Sequence, residues 1–201
     1  MLQYALPLGV FTYSAYKLMI RRVYDEHAEV YEPPSTSIVM CSLNEEGFIE
    51  KALRSLEEQN VRRMYPERFE LIIVDSASED RTVEIAEGYA DRVIQSPRGK
   101  LTARDMGIAQ ARGDIIVAVD ADSAYAPNWL NVLLQYFNDD YVVAVTGPRL
   151  VDPEEGFGWT ILGVWMTLAD VGPFGLRITG QNSAFYKQAY YDVGGFDLSI
   201  N

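Results

Sequence analysis

The chain reads as an α/β protein with a mostly parallel central sheet and helices on both faces. Two observations predict this. Apolar runs rich in β-branched residues, at 37–42, 69–75 and 115–120, alternate with stretches whose apolar residues recur at helical spacing. Strands alternating with helices build a parallel sheet covered on both sides. Each of these runs also gives way at its C-terminal end to polar groups: Asn44 with Glu45, Asp75, and Asp120 with Asp122. In a parallel sheet those ends lie along one rim, where ligands bind.

The elements follow in order. Residues 2–20 are apolar and aromatic, broken by Pro7, Gly9 and Lys17 and followed by Arg21 and Arg22. A spanning helix needs about 20 mainly apolar residues. The segment therefore either spans, with the basic residues holding the rest of the chain on the cytoplasmic side, or packs on the domain or a membrane interface. The charged stretch to residue 36, with Pro33 and Pro34, reads as a linker. Residues 1–36 thus form an apolar segment and linker, and 37–201 a single domain.

Within the domain, 37–42 is the first buried strand. Asn44 is placed to cap a helix whose first turn carries Glu45 and Glu46. Residues 69–75 form the second strand, 82–89 a helix, 92–95 a short third strand and 101–111 a helix that Gly113 ends. The stretch 113–122 opens with a turn residue, runs through five apolar residues that read as a strand buried on both faces, and stops at the carboxylates. Pro127 opens a helix whose stripe of Trp129, Leu130, Leu133, Leu134 and Phe137 is core. Residues 141–146 and 178–186 read as further strands, and Gly194-Gly195-Phe196-Asp197 as a tight turn. The segment 156–171, rich in Trp and Gly, reads as a helix or a flap.

Composition narrows the function. Seventeen basic against 29 acidic residues give a net charge of -12, which repels phosphate backbones and argues against nucleic-acid binding. An anionic substrate would need a local positive device. The single cysteine, Cys41, precludes an internal disulfide and reads as a buried small residue. The single histidine, His27, precludes a multi-histidine metal centre and reads as a surface residue.

The candidate chemistry lies on the rim. Asp120 and Asp122, two apart at a strand end, point the same way on an extended chain. They either face one ligand, as hard oxygen donors suited to Mg²⁺ or Mn²⁺ with a substrate phosphate, or begin a loop and cap the next helix. Asp75 suits a ribose or an imide N–H. Lys100 and Arg104 sit one turn apart at a helix start, where they and the helix N-terminus attract a diphosphate; alternatively they form a solvated helix face. No Gly-x-Gly-x-x-Gly follows the first strand and no phosphate-loop motif occurs, which disfavours a nicotinamide enzyme.

These segments together resemble family 2 inverting glycosyltransferases of the GT-A fold, over about 37–197. The similar stretches are 38–46, with Leu43, Asn44 and Glu45; 72–82, with Asp75; Gly99-Lys100, Ala103-Arg104 and Gly107; Asp120-Ala121-Asp122; 180–185; and the Gly-Gly-Phe-Asp turn at 194–197. The resemblance implies a GT-A, Rossmann-like sheet with a nucleotide-binding part at 37–122 and an acceptor side at 123–201. It also implies transfer from a nucleotide-diphosphate sugar, a UDP-sugar favoured, to a glycan, lipid or other hydroxyl acceptor. Asp75 would contact uracil, Asp120 and Ala121 would help hold the donor, and Asp122 would coordinate Mn²⁺ or Mg²⁺. Leu43, Glu45, Lys100 and Arg104 would complete the donor site. The chain departs from the family with Ser76 and Asp105, where Asp and Asn are commoner. The acidic pair that usually follows the 194–197 turn and supplies the base would fall beyond Asn201. The base then falls to Asp197, or the chain is a fragment or a catalytically silent nucleotide-sugar binding domain. A nucleotidyltransferase is disfavoured because the loop 42–46 is acidic and lacks glycine. The implied location is cytoplasmic, with residues 2–22 as a membrane anchor if they insert.

Overall fold

A computed structural model describes residues 23, 25, 29–147 and 182–200. The segment 2–22, His27 and the Trp- and Gly-rich stretch 151–175 lie outside the described residues. Six strands form one sheet in the order β3-β2-β1-β4-β6-β5. β1 (Thr36–Ser42) pairs in parallel with both β2 (Phe69–Asp75) and β4 (Ile115–Asp120), and β2 pairs in parallel with β3 (Arg92–Gln95). β6 (Ser183–Tyr186) runs antiparallel to β4 and to the edge strand β5 (Ala144–Thr146). β1 and β4 are buried along their whole length, as their unbroken apolar runs require.

Helices cover both faces. On one side α1 (Ile49–Glu57), α2 (Asn60–Met64), α3 (Thr82–Glu87) and α5 (Trp129–Leu134) contribute residues to a core with Ile38, Met40, Leu71, Ile73, Val117 and Val119. On the other, α4 (Lys100–Gln110) contributes Ala103 and Ile108 to a second cluster with Val39, Ile72, Val74 and Ile116. α6 (Lys187–Asp192) adds Tyr190 to that cluster. The alternating strand residues thus divide between the two cores.

Three local expectations change. Asn44 does not cap α1, which begins at Ile49. It sits at φ 54, and its side chain accepts from Glu79 N at 2.8 Å, joining the loops after β1 and β2. Gly113 does not end α4 in the left-handed conformation. It is needed because a Cβ there would meet Ser37 N at 2.5 Å and Thr36 C at 2.7 Å. The stretch before β1, expected as a linker, lies on the domain: Asn131 Nδ2 donates to Glu29 O at 2.9 Å, and Ser35 Oγ to Asp114 Oδ2 at 2.5 Å. Among the described residues no helix is long and apolar enough to cross a membrane.

Candidate donor-binding cleft

Strand register builds the site. Ser42 pairs with Asp75, Cys41 with Asp120 and Asp75 with Gln95, so the C-terminal ends of β3, β2, β1 and β4 lie side by side. A cleft of about 250 Å³ opens over that rim, lined by residues that include Leu43, Glu45, Lys100, Asp120, Ala121 and Asp122. Six of the sequence candidates therefore share one cavity. β4 ends at Asp120 and Asp122 lies in the following turn, so strand alternation does not orient Asp122; the turn itself carries it into the cleft.

Asp120 is the centre of the charge arrangement. Its side chain is almost fully buried. Lys100 Nζ lies 2.9 Å from the carboxylate, and Arg104 Nη2 donates to Oδ1 at 3.1 Å. Lys100 and Arg104 point the same way because they are one turn apart on α4, which Gly99 opens at φ 140. Asp120 is fixed from the other side by Tyr125, whose hydroxyl accepts from Asp120 N at 3.0 Å and donates to Asp120 O at 3.1 Å. Burial pushes the Tyr125 hydroxyl well above its ordinary range, so it stays protonated and able to donate.

The cations are thus already engaged. Arg104, expected in the donor site, is 2% exposed, does not line the cleft and is taken up by Asp120. Lys100 is left to face Glu45, Asp120 and Asp122, and the cleft keeps excess negative charge. The effect is visible at Glu45. Burial raises its pKa, and the charges of Asp122, Asp120 and Asp80 raise it further against a smaller opposing effect of Lys100. Asp122 is exposed and accepts from Ser123 Oγ at 3.2 Å. It fits a divalent cation: a hard carboxylate open to the cleft, in a negative field, with room for water and phosphate oxygens. Among the described residues no group of three or more His, Cys, Asp or Glu side chains could hold a metal by themselves. The cation's remaining ligands would come from a bound anion and water.

Asp75 is placed differently. It is 1% exposed, at the β2 end of the rim, and does not line the cleft. Oδ1 accepts from Ser42 Oγ at 3.2 Å and from Ser78 Oγ, and Oδ2 from Ser78 N at 2.9 Å. A carboxylate has about four acceptor positions, so one on Oδ2 is left. Asp197 does not line the cleft either. It is exposed and accepts from Ser199 N at 3.0 Å and Ser199 Oγ at 2.6 Å. Those two bonds, the side-chain one first, hold its pKa below the ordinary aspartate range.

Sequence reasoning passed over Cys41, Ser42 and Ser76 as cleft residues, and Tyr125 as the clamp on Asp120. Cys41 is only 8% exposed, as expected of a buried residue, yet lies on the cleft floor. Burial, the largest influence, raises its pKa and keeps the thiol unreactive. Its signal was its place, at the second-last position of a rim strand.

Comparison with known proteins places this geometry. Residues 37–194 match the family model described as glycosyl transferase family 2. The chain is 30% identical to the probable glycosyltransferase YdaM of Bacillus subtilis (strain 168), over 98% of this chain and 51% of that protein. It is 26% identical to the glucosyl-dolichyl phosphate glucuronosyltransferase of Haloferax volcanii, over 81% of this chain and 56% of that protein. The chain spans about half the length of these curated relatives. Among solved structures, the mannosyltransferase PcManGT from Pyrobaculum calidifontis, in complex with GDP-Man and Mn²⁺, superposes with a TM-score of 0.63 at 23% identity, over 96% of this chain and 58% of that one. TarS of S. aureus in complex with UDP-GlcNAc gives 0.59 at 18% identity, over 79% and 47%. The fold is the GT-A arrangement expected from the sequence.

Proposed function

Because this chain belongs to glycosyl transferase family 2, we propose that its cleft binds a nucleotide-diphosphate sugar and that the sugar passes to an acceptor hydroxyl with inversion. A UDP-sugar is favoured, and the reaction depends on Mn²⁺ or Mg²⁺. The observation that carries this is a cleft at the C-terminal ends of parallel strands where Glu45, Asp120 and Asp122 outnumber its one lining cation, Lys100, while Arg104 pairs with Asp120 from outside the lining. Such a site repels a diphosphate until a divalent cation joins it.

Each residue then has a task. Asp122 would hold the cation, which would supply charge neutralisation to the leaving diphosphate. Asp120 orients Lys100 beside the phosphates, is itself held by the buried Arg104, and with Ala121 and Glu45 bounds the donor. Leu43 offers an apolar wall. Asp75 has one acceptor position left, which matches the single imide N–H of uracil better than the two adjacent donors of guanine; being 1% exposed and outside the cleft lining, it would have to be uncovered to take it. The acceptor is a glycan, lipid or other hydroxyl. The acceptor oxygen attacks the anomeric carbon from the face opposite the diphosphate, and one displacement inverts that carbon. A base must take the hydroxyl proton. Asp197 is the candidate on this chain, and to serve it would have to release Ser199 and approach the cleft.

The alternative is a nucleotide-sugar binding domain without catalysis, favoured by the position of Asp197 outside the cleft. A panel of radiolabelled UDP- and GDP-sugars with Mn²⁺ separates the two. Release of free nucleoside diphosphate with labelled sugar on an acceptor or on water supports the transferase. Saturable binding without turnover supports the silent domain, and absence of both overturns the donor assignment.

A further inference from the structure

α4 carries Lys100, which lines the donor cleft, and Arg104, which pairs with Asp120 without lining it. Its C-terminal half lies tight on the sheet: a Cβ at Gly107 would meet Val39 Cγ1 at 2.5 Å and Val74 Cγ2 at 2.9 Å. Its N-terminal half borders an apolar groove of about 490 Å³ that separates Leu101 and Arg104 from Ala189, Tyr190, Val193 and Phe196. Arg104 Nε is buried there with no hydrogen-bond partner.

Among the described residues a polar tie crosses from α4 to the far side. Tyr190 Oη donates to Asp105 Oδ1 at 2.7 Å and accepts from Phe196 N at 3.1 Å. Asp105 follows Arg104 directly. Gly194 and Gly195, at φ 88 and 74, turn the chain so that Phe196 N reaches the hydroxyl, while Gly195 N bonds Tyr190 O at 3.0 Å. The Tyr190 ring packs edge-on against Phe196 with centroids 5.1 Å apart. The hydroxyl thus adds a polar link from α4 to α6 and the 194–197 turn, which backbone bonds already join to each other.

We propose that Tyr190 is a positioning residue whose hydroxyl, shared between Asp105 and the Phe196 N–H, holds α4 so that Arg104 meets Asp120 and Lys100 meets Asp120 and the bound diphosphate, and couples the 194–197 turn to the donor cleft. This rests on the donor-binding assignment of the cleft. Hydrogen-bonded charges lose their value when displaced by about 1 Å, so a helix free to shift at its first turn would bind a diphosphate less well. Tyr190→Phe removes the hydroxyl and keeps the ring. Asp105→Asn keeps an acceptor oxygen, and Asp105→Ala removes it.

The test is calorimetric titration of UDP and of GDP, each with Mn²⁺, into the wild type, Tyr190→Phe, Asp105→Asn, Asp105→Ala and the Tyr190→Phe/Asp105→Ala double variant, with melting curves for each. Loss of one such bond corresponds to about a fivefold weakening of nucleotide binding. That loss is expected in Asp105→Ala, at least that in Tyr190→Phe, which also gives up the Phe196 N–H, and no more than the Tyr190→Phe loss in the double variant, while Asp105→Asn stays near wild type. Folded Tyr190→Phe and Asp105→Ala proteins with wild-type dissociation constants overturn the positioning role, even if their melting temperatures fall. Additive losses overturn the pairing. A wild type that binds neither nucleotide overturns the donor assignment and this inference with it.

Discussion

Replacing Asp120 with Asn should destabilise the fold far more than removing Lys100, although both residues belong to the same ion pair. Arg104 is 2% exposed and its Nε has no partner; the Asp120 side chain is 6% exposed. Without the carboxylate, a buried guanidinium keeps its charge and loses its counter-ion. Removing one partner of a buried pair costs about 3–5 kcal/mol. Asn retains an oxygen that can accept from Arg104 Nη2, so the low end, about 3 kcal/mol, applies. Against a total stability of about 5–15 kcal/mol the protein still folds. A domain of this size loses about 2–4 °C of melting temperature per kcal/mol, so the drop is about 6–12 °C. The Lys100 side chain is 55% exposed, and solvent screening limits the cost of Lys100→Met to about 1 kcal/mol or less. Urea unfolding followed by tryptophan fluorescence measures both. Equal losses, or an Asp120→Asn variant within about 0.5 kcal/mol of wild type, would refute the claim that Asp120 neutralises a buried charge.

Three further outcomes follow. Asp122→Ala should leave stability within about 0.5 kcal/mol, since the residue is exposed, while abolishing the Mn²⁺-dependent part of nucleotide affinity; unfolding curves and calorimetry report the two effects separately. Gly113→Ala should destabilise by at least about 1–3 kcal/mol, because its Cβ would strike the β1 backbone, whereas Gly88→Ala, whose Cβ would only touch Ile85 O at 3.4 Å, should be tolerated; urea midpoints compare them. Glu70 should make folding sensitive to acid. Burial raises its pKa, but bonds from Ser37 Oγ, Arg112 N and Arg92, with the guanidinium charge, outweigh that and hold it below the ordinary 4.5. Its folded value being depressed, its contribution is complete above 4.5 and fades as pH falls through the folded value. Glu70→Gln should therefore have a flatter stability profile below that pH, and equal slopes for the two proteins would contradict it.

The buried strands were legible because a run such as Ile115–Asp120 leaves no polar face and can only lie inside a covered sheet. The rim carboxylates were legible because each breaks an apolar run at its end, although Asp75 and Asp120 are buried there rather than open to solvent. Antiparallel insertion of β6 between β4 and β5 was not, because strand order depends on long-range pairing and β6 contributes only four residues. Asn44 looked like a helix cap because its local chemistry suits one, but a partner 35 positions away, Glu79 N, took its side chain. Gly113 resembled a helix stop because a close approach to β1 and a left-handed turn both call for glycine. The paired state of Lys100 and Arg104 was hidden as well. Helical spacing showed that they share a face but not that Asp120 would meet them there.

The most direct measurement is the affinity of the wild type for UDP by calorimetry, once with Mn²⁺ and once in excess EDTA. Three carboxylates against one lining cation, Lys100, require that binding appear with Mn²⁺ and weaken by at least about tenfold in EDTA, a difference of about 1.4 kcal/mol. Equal affinity in the two conditions would contradict the central claim that this acidic cleft holds a diphosphate through a divalent cation.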